Sequence, residues 1–453
     1  MRLKLALALS SILPGIPLPA QDAAASVDSV MRAAEAKGFS GVVLVAKNGA
    51  VIFNRGYGFA NRAQRIPFTG ETVVQIGSNT KDFTAVAILQ LHERGALNVQ
   101  DKLSKYFPSA PVDKKDITLW QLMTHEAGFP LGLGGDFETL GREQLIDRAM
   151  KFKLLFAPGA KESYSNTGFA LLAAVIEKVS GKSYDEYIRD NILTPIGLDH
   201  TGFHLPGFPD RTLAHGYRVG GEDAGNILSK PHAPDGPYWN LRGNGGMLST
   251  ASDMHAFYKA LFETDKLLKP ATRNLRFNPS EPIGLAGSDL VNFFLYERDP
   301  RSGIEMIIAS TNAEMKAPAI RRDLARVVGL PMMDGGGGGA VARAEGKPVS
   351  DATAKIITEF IGVINKGDTG SLRKFITDHF DLSNGPPADQ RAQRLSSIRT
   401  DLGALQIVRM TVVGDGSTQV LVKTEREGEA LFILDMEKGA PYRIKRLGLQ
   451  VGG

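Results

Sequence analysis

The chain has 453 residues, 43% hydrophobic and 23% charged, which is enough for two or three packed soluble domains. Its formal net charge is +4, with acidic and basic residues interspersed and no basic stripe interleaved with aromatics, so nucleic acid is not an expected partner. There is no cysteine, which removes disulfides, thiol catalysis, thiolate metal sites and an N-terminal lipidated cysteine.

The first residues, Met1-Arg2-Leu3-Lys4, are basic, and the apolar run at 5–18 is broken by Pro14, Gly15 and Pro17. A spanning helix needs ~20 apolar residues without such breakers, so residues 1–20 read as a removable export signal. Ala20 and Ala23-Ala24-Ala25 offer small residues for cleavage. This places the protein in the periplasm or outside the cell, with no membrane span after removal of the signal.

Residues 28–37 read as a helix, and 41–46 and 51–53 as a hairpin around an Asn48-Gly49 turn. From Ser78 the apolar period changes to that of a buried helix that stops at Gly95, and a second such helix runs from Thr167 to Gly181. Positions 292–296 and 304–309 look like paired strands. Helix, hairpin, helices and returning strands predict an antiparallel sheet flanked by a helical lobe, of mixed α/β (α+β) class. Five glycines, Gly335 to Gly339, open a linker at 335–348. Helices at 354–364 and 371–380, then strands at 407–413, 419–423, 430–435 and 442–449, predict a separate small α+β domain over 349–453.

Ser78-Asn79-Thr80-Lys81 places a hydroxyl and an amine one helical turn apart on one face. At a helix start the serine also meets free N–H groups, which favour a developing oxyanion. The lysine works as a base only if burial depresses its pKa. A second copy, Ser371-Leu372-Arg373-Lys374, reads as a solvated mid-helix face. Tyr164-Ser165-Asn166 precedes the second helix, where a tyrosine near a lysine ammonium can ionise more readily and relay protons, and the asparagine amide can meet both the lysine and a substrate carbonyl.

In order along the chain stand Ser78–Lys81, Leu122-Met123-Thr124-His125-Glu126-Ala127-Gly128, Tyr164–Asn166, Pro195-Ile196-Gly197-Leu198 and Gly245-Gly246-Met247-Leu248-Ser249-Thr250. This set resembles the β-lactamase-related serine hydrolases, which include class C β-lactamases, DD-peptidases and related esterases, over roughly residues 38–315. The resemblance implies a β-lactamase/transpeptidase-like domain at 21–334, acylation of Ser78, base work shared by Lys81 and Tyr164, and no metal or other cofactor. His125 then reads as a structural group beneath the site, and Gly245-Gly246 as a place where backbone passes close to the catalytic helices.

The family's third motif, Lys or His two residues before a glycine, is where the chain departs. Leu285-Ala286-Gly287 is its best counterpart, with Gly287 leaving room for substrate and a following N–H completing the oxyanion hole. The literal His200-Thr201-Gly202 sits just after Pro195–Leu198 and reads as a decoy. Loss of the basic residue at Leu285 favours a small-molecule or peptide substrate with a neutral ester or amide. A DD-peptidase, a β-lactamase and a non-catalytic relative that binds cell-wall fragments remain alternatives. The C-terminal domain weakly resembles the nuclear-transport-factor-two-like cone fold and reads as a passive or substrate-gating module. The sequence leaves the oligomeric state open.

Overall fold

A computed structural model describes residues 20–203, 213–218, 221–288, 291–312, 317–330, 347–382, 388–412, 418–425, 429–437 and 442–451. The expected export signal up to residue 19, the glycine run, most of the expected linker and His204 lie outside the described residues.

The first unit is built on α1 (Ala20–Glu35), the hairpin β1 (Gly41–Lys47) and β2 (Ala50–Tyr57), then α2 (Thr80–Glu93), α3 (Leu119–Met123), α4 (Asn166–Ser180) and α5 (Ala251–Glu263). It ends with β3 (Ile283–Ser288), β4 (Phe293–Asp299), β5 (Ile304–Ser310) and α6 (Ala317–Val328). The five strands form one antiparallel sheet in the order β2-β1-β5-β4-β3. At the hairpin turn Asn48 and Gly49 both have positive φ, 49° and 72°, which matches the twist of the flanking strands.

The central strands are apolar at nearly every position because both sheet faces are covered. Val42, Leu44 and Ala46 of β1 join Ile307 and Ala309 of β5 and Phe294 and Tyr296 of β4 in the core against α2, α4 and α5. Their neighbours Val43, Val45, Met306, Ile308 and Leu295 point the other way, into a second core with Val27 and Met31 of α1 and Leu324 of α6. The period of two divides one apolar run between two cores. Here α1 begins earlier than expected. Ala23 is buried and Ala24 packs on the outer core, so the first two alanines of the run at 23–25 are a packed helix face, while Ala25 is exposed.

Helix α2 is buried from Thr80 to Leu91, as befits a helix enclosed on all sides. Phe83 stacks on Phe257 of α5 with centroids 3.9 Å apart. Buried this completely, the helix fixes the residues at its N-terminal end.

The C-terminal unit holds α7 (Asp351–Lys366), α8 (Thr369–His379) and α9 (Ala388–Leu402), then β6 (Leu405–Val412), β7 (Thr418–Thr424), β8 (Glu429–Met436) and β9 (Ile444–Val451). The strands form an antiparallel meander in chain order, with Lys347–Pro348 paired to the β6 edge, so the expected linker's last two residues belong to this sheet. The sequence reading missed α9, whose polar character hides Ala392, Leu395, Ile398 and Leu402 as its core stripe. Ser371 lies in the first turn of α8, not mid-helix. Its N–H donates to the Asp368 capping carboxylate at 2.7 Å, while Lys374 is 80% exposed and paired with Asp378.

Candidate active site

Two glycines let the sheet edge touch the turn that carries Ser78. Gly77–Asn79 form a 3-10 turn leading into α2, with Gly77 at φ +52°. A Cβ on Gly77 would lie 2.7 Å from the Ser288 nitrogen, and one on Gly287 only 1.9 Å from the Ile76 oxygen and 2.6 Å from the Ser78 nitrogen. Gly287 therefore serves a direct backbone contact between β3 and the Ser78 turn, a stricter demand than room for substrate.

Ser78, Lys81 and Tyr164 meet at one atom. The Ser78 Oγ accepts from Lys81 Nζ at 3.0 Å and from Tyr164 Oη at 2.7 Å. Lys81 is 4% exposed, and its ammonium also donates to the Asn244 carbonyl at 2.7 Å and stands 4.8 Å from the Tyr164 ring centroid. Burial pulls the Lys81 amine down to about 7, against the opposing pull of Asp82 and Asp136. Tyr164 moves the other way: burial of its hydroxyl raises it, although the bond to Ser78 works against the rise. An expectation that the neighbouring ammonium eases ionisation of Tyr164 is thus corrected. The group poised to be a base near neutrality is Lys81, and Tyr164 keeps its proton.

Tyr164 is held from below by His125. That residue adopts φ +63°, its ring lies 4.6 Å from Tyr164 and 5.3 Å from Phe169, and its Nδ1 accepts from the Ser165 N–H at 3.1 Å. Burial lowers His125 to about 4, so at neutral pH its ring is uncharged and the acceptor role is open to it. Ser165 then caps α4 through the Gly168 N–H and donates to the Pro130 carbonyl.

The remaining expected residues divide. Asn166 opens α4 and donates its backbone N–H to Leu131, but the lysine's second acceptor is the Asn244 carbonyl and not Asn166, whose Oδ1 is buried without a partner. Leu285 and Gly287 share the core-facing side of β3, where Leu285 is partly buried against the main core. His200-Thr201-Gly202 is a structural lock: Thr201 is fully buried and bonds Ser249 and Asp253, while Gly202 bridges to Leu248. In Tyr238-Trp239-Asn240, a second Tyr-x-Asn sequence, Trp239 is 6% exposed and the Asn240 amide donates to the Gly135 carbonyl. Close passage against α4 falls to Gly243, where a Cβ would meet Ala173 at 2.6 Å, two residues before the expected glycine pair.

Sequence reasoning missed Asn244, Asn79, Asp82 and Arg276. Asn244 acts through its carbonyl, which any residue type has, so no side-chain pattern signals it. Among the described residues there is no group of His, Asp and Glu able to hold a metal ion, and no helix is long and apolar enough to cross a membrane.

The β-lactamase family model matches residues 27–298. The putative penicillin-binding protein PbpX of Bacillus subtilis is 33% identical over 245 residues, covering 53% of this chain and 59% of its own length. The chain spans between about half and three fifths of the curated relatives it matches. Among solved structures, a penicillin-binding protein from Bacillus halodurans is 26% identical with a TM-score of 0.57, covering 67% of this chain and 100% of that one. FmtA from Staphylococcus aureus shares the fold at 22% identity and a TM-score of 0.58, covering 71% of this chain and 92% of that one.

Proposed function

The chain belongs to the β-lactamase family, and from that premise we propose that it is a serine hydrolase that forms an acyl-enzyme on Ser78. One observation carries this reading: the Ser78 Oγ sits within hydrogen-bond reach of both a buried lysine pulled to about 7 and a tyrosine that keeps its proton. In its neutral form Lys81 accepts the Ser78 proton as Oγ attacks a carbonyl carbon. The negative charge that develops on the carbonyl oxygen is met by the Ser78 N–H and the β3 backbone beyond Gly287. The Tyr164 hydroxyl passes a proton to the leaving group and is reprotonated from Lys81, and water then releases the acyl group by the reverse relay. Asn166 is read as a contact for the substrate carbonyl.

Leu285 supports a neutral ester or amide as substrate, because no charge stands on β3 where a substrate carboxylate would dock in β-lactam-processing relatives. The basic start and broken apolar run at residues 1–18 support placing the reaction in the periplasm or outside the cell. The C-terminal unit packs around its own hydrophobic core and is read as a module separate from the chemistry.

Incubation with a fluorescent fluorophosphonate tests the reading. The native protein is expected to be labelled at Ser78, with labelling and ester hydrolysis both lost in Ser78→Ala and retained in Ser371→Ala. A native protein inert to the probe, or a Ser78→Ala variant that still turns over ester, refutes it.

A further inference from the structure

Directly beneath the nucleophile lies a buried polar chain that the proposed chemistry leaves unused. Asn79, next to Ser78, is 2% exposed, Asp82, next to Lys81, is 3% exposed, and Tyr258 of α5 is fully buried. The Tyr258 hydroxyl donates to Asp82 Oδ2 at 2.8 Å and accepts from Asn79 Nδ2 at 3.0 Å. The same Asn79 amide reaches the Leu285 carbonyl of β3 at 3.5 Å, and its Oδ1 lies 2.8 Å from where a Gly287 Cβ would stand. One chain of bonds therefore joins the residue after the nucleophile, the residue after the base, and the strand edge facing the Ser78 turn. Tyr258 is itself fixed by stacking on Tyr296 of β4, with centroids 3.6 Å apart.

A carboxylate this deep needs a counter-charge. Arg276, on the stretch between α5 and β3, supplies it. Its Nη1 donates to the Met123 carbonyl at the end of α3 at 3.0 Å, and its guanidinium lies 5.9 Å from the Phe169 ring and 5.7 Å from Phe277. Its Nε is buried without a partner, and its charge acts on Asp82, Glu162 and Tyr164. Phe169 is also the ring 5.7 Å from Lys81 Nζ, so the two cations flank one aromatic side chain.

We propose that Asp82 is a positioning residue: its negative charge, one residue from Lys81, tunes the proton affinity of that amine, and its bond to Tyr258 holds Asn79 and β3 against the Ser78 turn. The groups facing Lys81 are Ser78 and Asp82 on its own segment, Tyr164 and His125 from the α3–α4 side, Asp136 from the loop before α4, and the Asn244 carbonyl. Asp82 is faced by Lys81, Tyr258, Tyr164 and Arg276. Among these Asp82 is the buried anion, and it sits one residue from the base. Burial lifts its carboxyl to about 6, with Arg276 opposing the rise, so it carries its charge at and above neutrality, where Lys81 loses its proton. An anion there favours the ammonium form of Lys81 and so holds the base's pKa higher than burial alone would.

The inference rests on the serine-hydrolase reading, and its test separates the two. Asp82→Asn keeps the shape and an oxygen for Tyr258 but removes the charge. The acid limb of the pH profile for Ser78 labelling is expected to move to lower pH by about one unit. Tyr258→Phe keeps the charge and cuts the link to Asn79. It is expected to lower kcat about tenfold with KM little changed and to displace the acid limb less than Asp82→Asn does. ¹³C NMR of the Lys81 Cε follows the same titration without turnover, so an inert native protein would defeat the hydrolase reading while this one stays measurable. An Asp82→Asn protein whose Lys81 titrates at the native pH, or a Tyr258→Phe protein with native kcat, overturns the proposal.

Discussion

Replacing Gly287 with alanine is the sharpest test of how the site is assembled. The new methyl would lie 1.9 Å from the Ile76 oxygen, whereas real Cβ contacts essentially never fall below 3.0 Å, so β3 and the Ser78 turn must part by about 1.1 Å. Neither side yields easily. The obstructing atoms are backbone, α2 is buried along its length, and β3 is paired to β4 from Ile283 to Ser288. A displacement of ~1 Å between a nucleophile and the groups that stabilise its transition state costs on the order of a hundredfold in rate. Gly287→Ala is therefore expected to slow fluorophosphonate acylation of Ser78 by about two orders of magnitude and to lower the melting temperature. Gly362→Ala is the control. It lies within α7 with nothing within 4 Å of the added methyl, so the substitution should leave acylation unchanged and stabilise its helix by about 0.5–1 kcal/mol. Acylation of Gly287→Ala at the native rate would show that β3 does not form part of the working site.

Because Lys81 sits at about 7 and acts as a base only when neutral, acylation should rise about tenfold per pH unit below 7 and level off above it, as read by labelling rates across pH. A rate independent of pH between 5 and 8 would contradict the assignment. Leu285→His should raise kcat/KM for carboxylate-bearing substrates relative to neutral esters by about ten- to a hundredfold, the worth of one charge-assisted hydrogen bond of ~1.5–3 kcal/mol. An unchanged ratio would mean that this position does not meet the substrate. A chain ending near Met333 should stay folded and react with the probe, since each unit has its own core. Insolubility or loss of labelling would show that the C-terminal unit helps to build the site.

The parts of the fold written in periodic apolar residues were legible, and the parts written in backbone were not. The Asn48-Gly49 turn, the buried run after Ser78 and the helix ending at Gly181 are each set by neighbours in sequence, so local chemistry predicted them. Helix α9 escaped because its core stripe is sparse among charged and polar residues, and its place is decided by the sheet beneath it. In the site, Ser78, Lys81 and Tyr164 carry distinctive side chains, and the structure brings all three to one oxygen. Asn244, which holds the Lys81 ammonium through a carbonyl, has no such signature. The Asp82–Tyr258–Asn79 chain has none either, because its members stand up to 179 residues apart and each reads alone as ordinary core. Even the sign of the Tyr164 effect could not be read from adjacency to a lysine, since the outcome turned on burial outweighing the favourable bond to Ser78. Residue identity named the candidate groups, while the division of labour proposed for them is set by which hydroxyl and which amine lose water. That quantity belongs to the packed fold around Phe169, His125 and Arg276, and it is there that substitutions should redistribute the proton without touching the nucleophile.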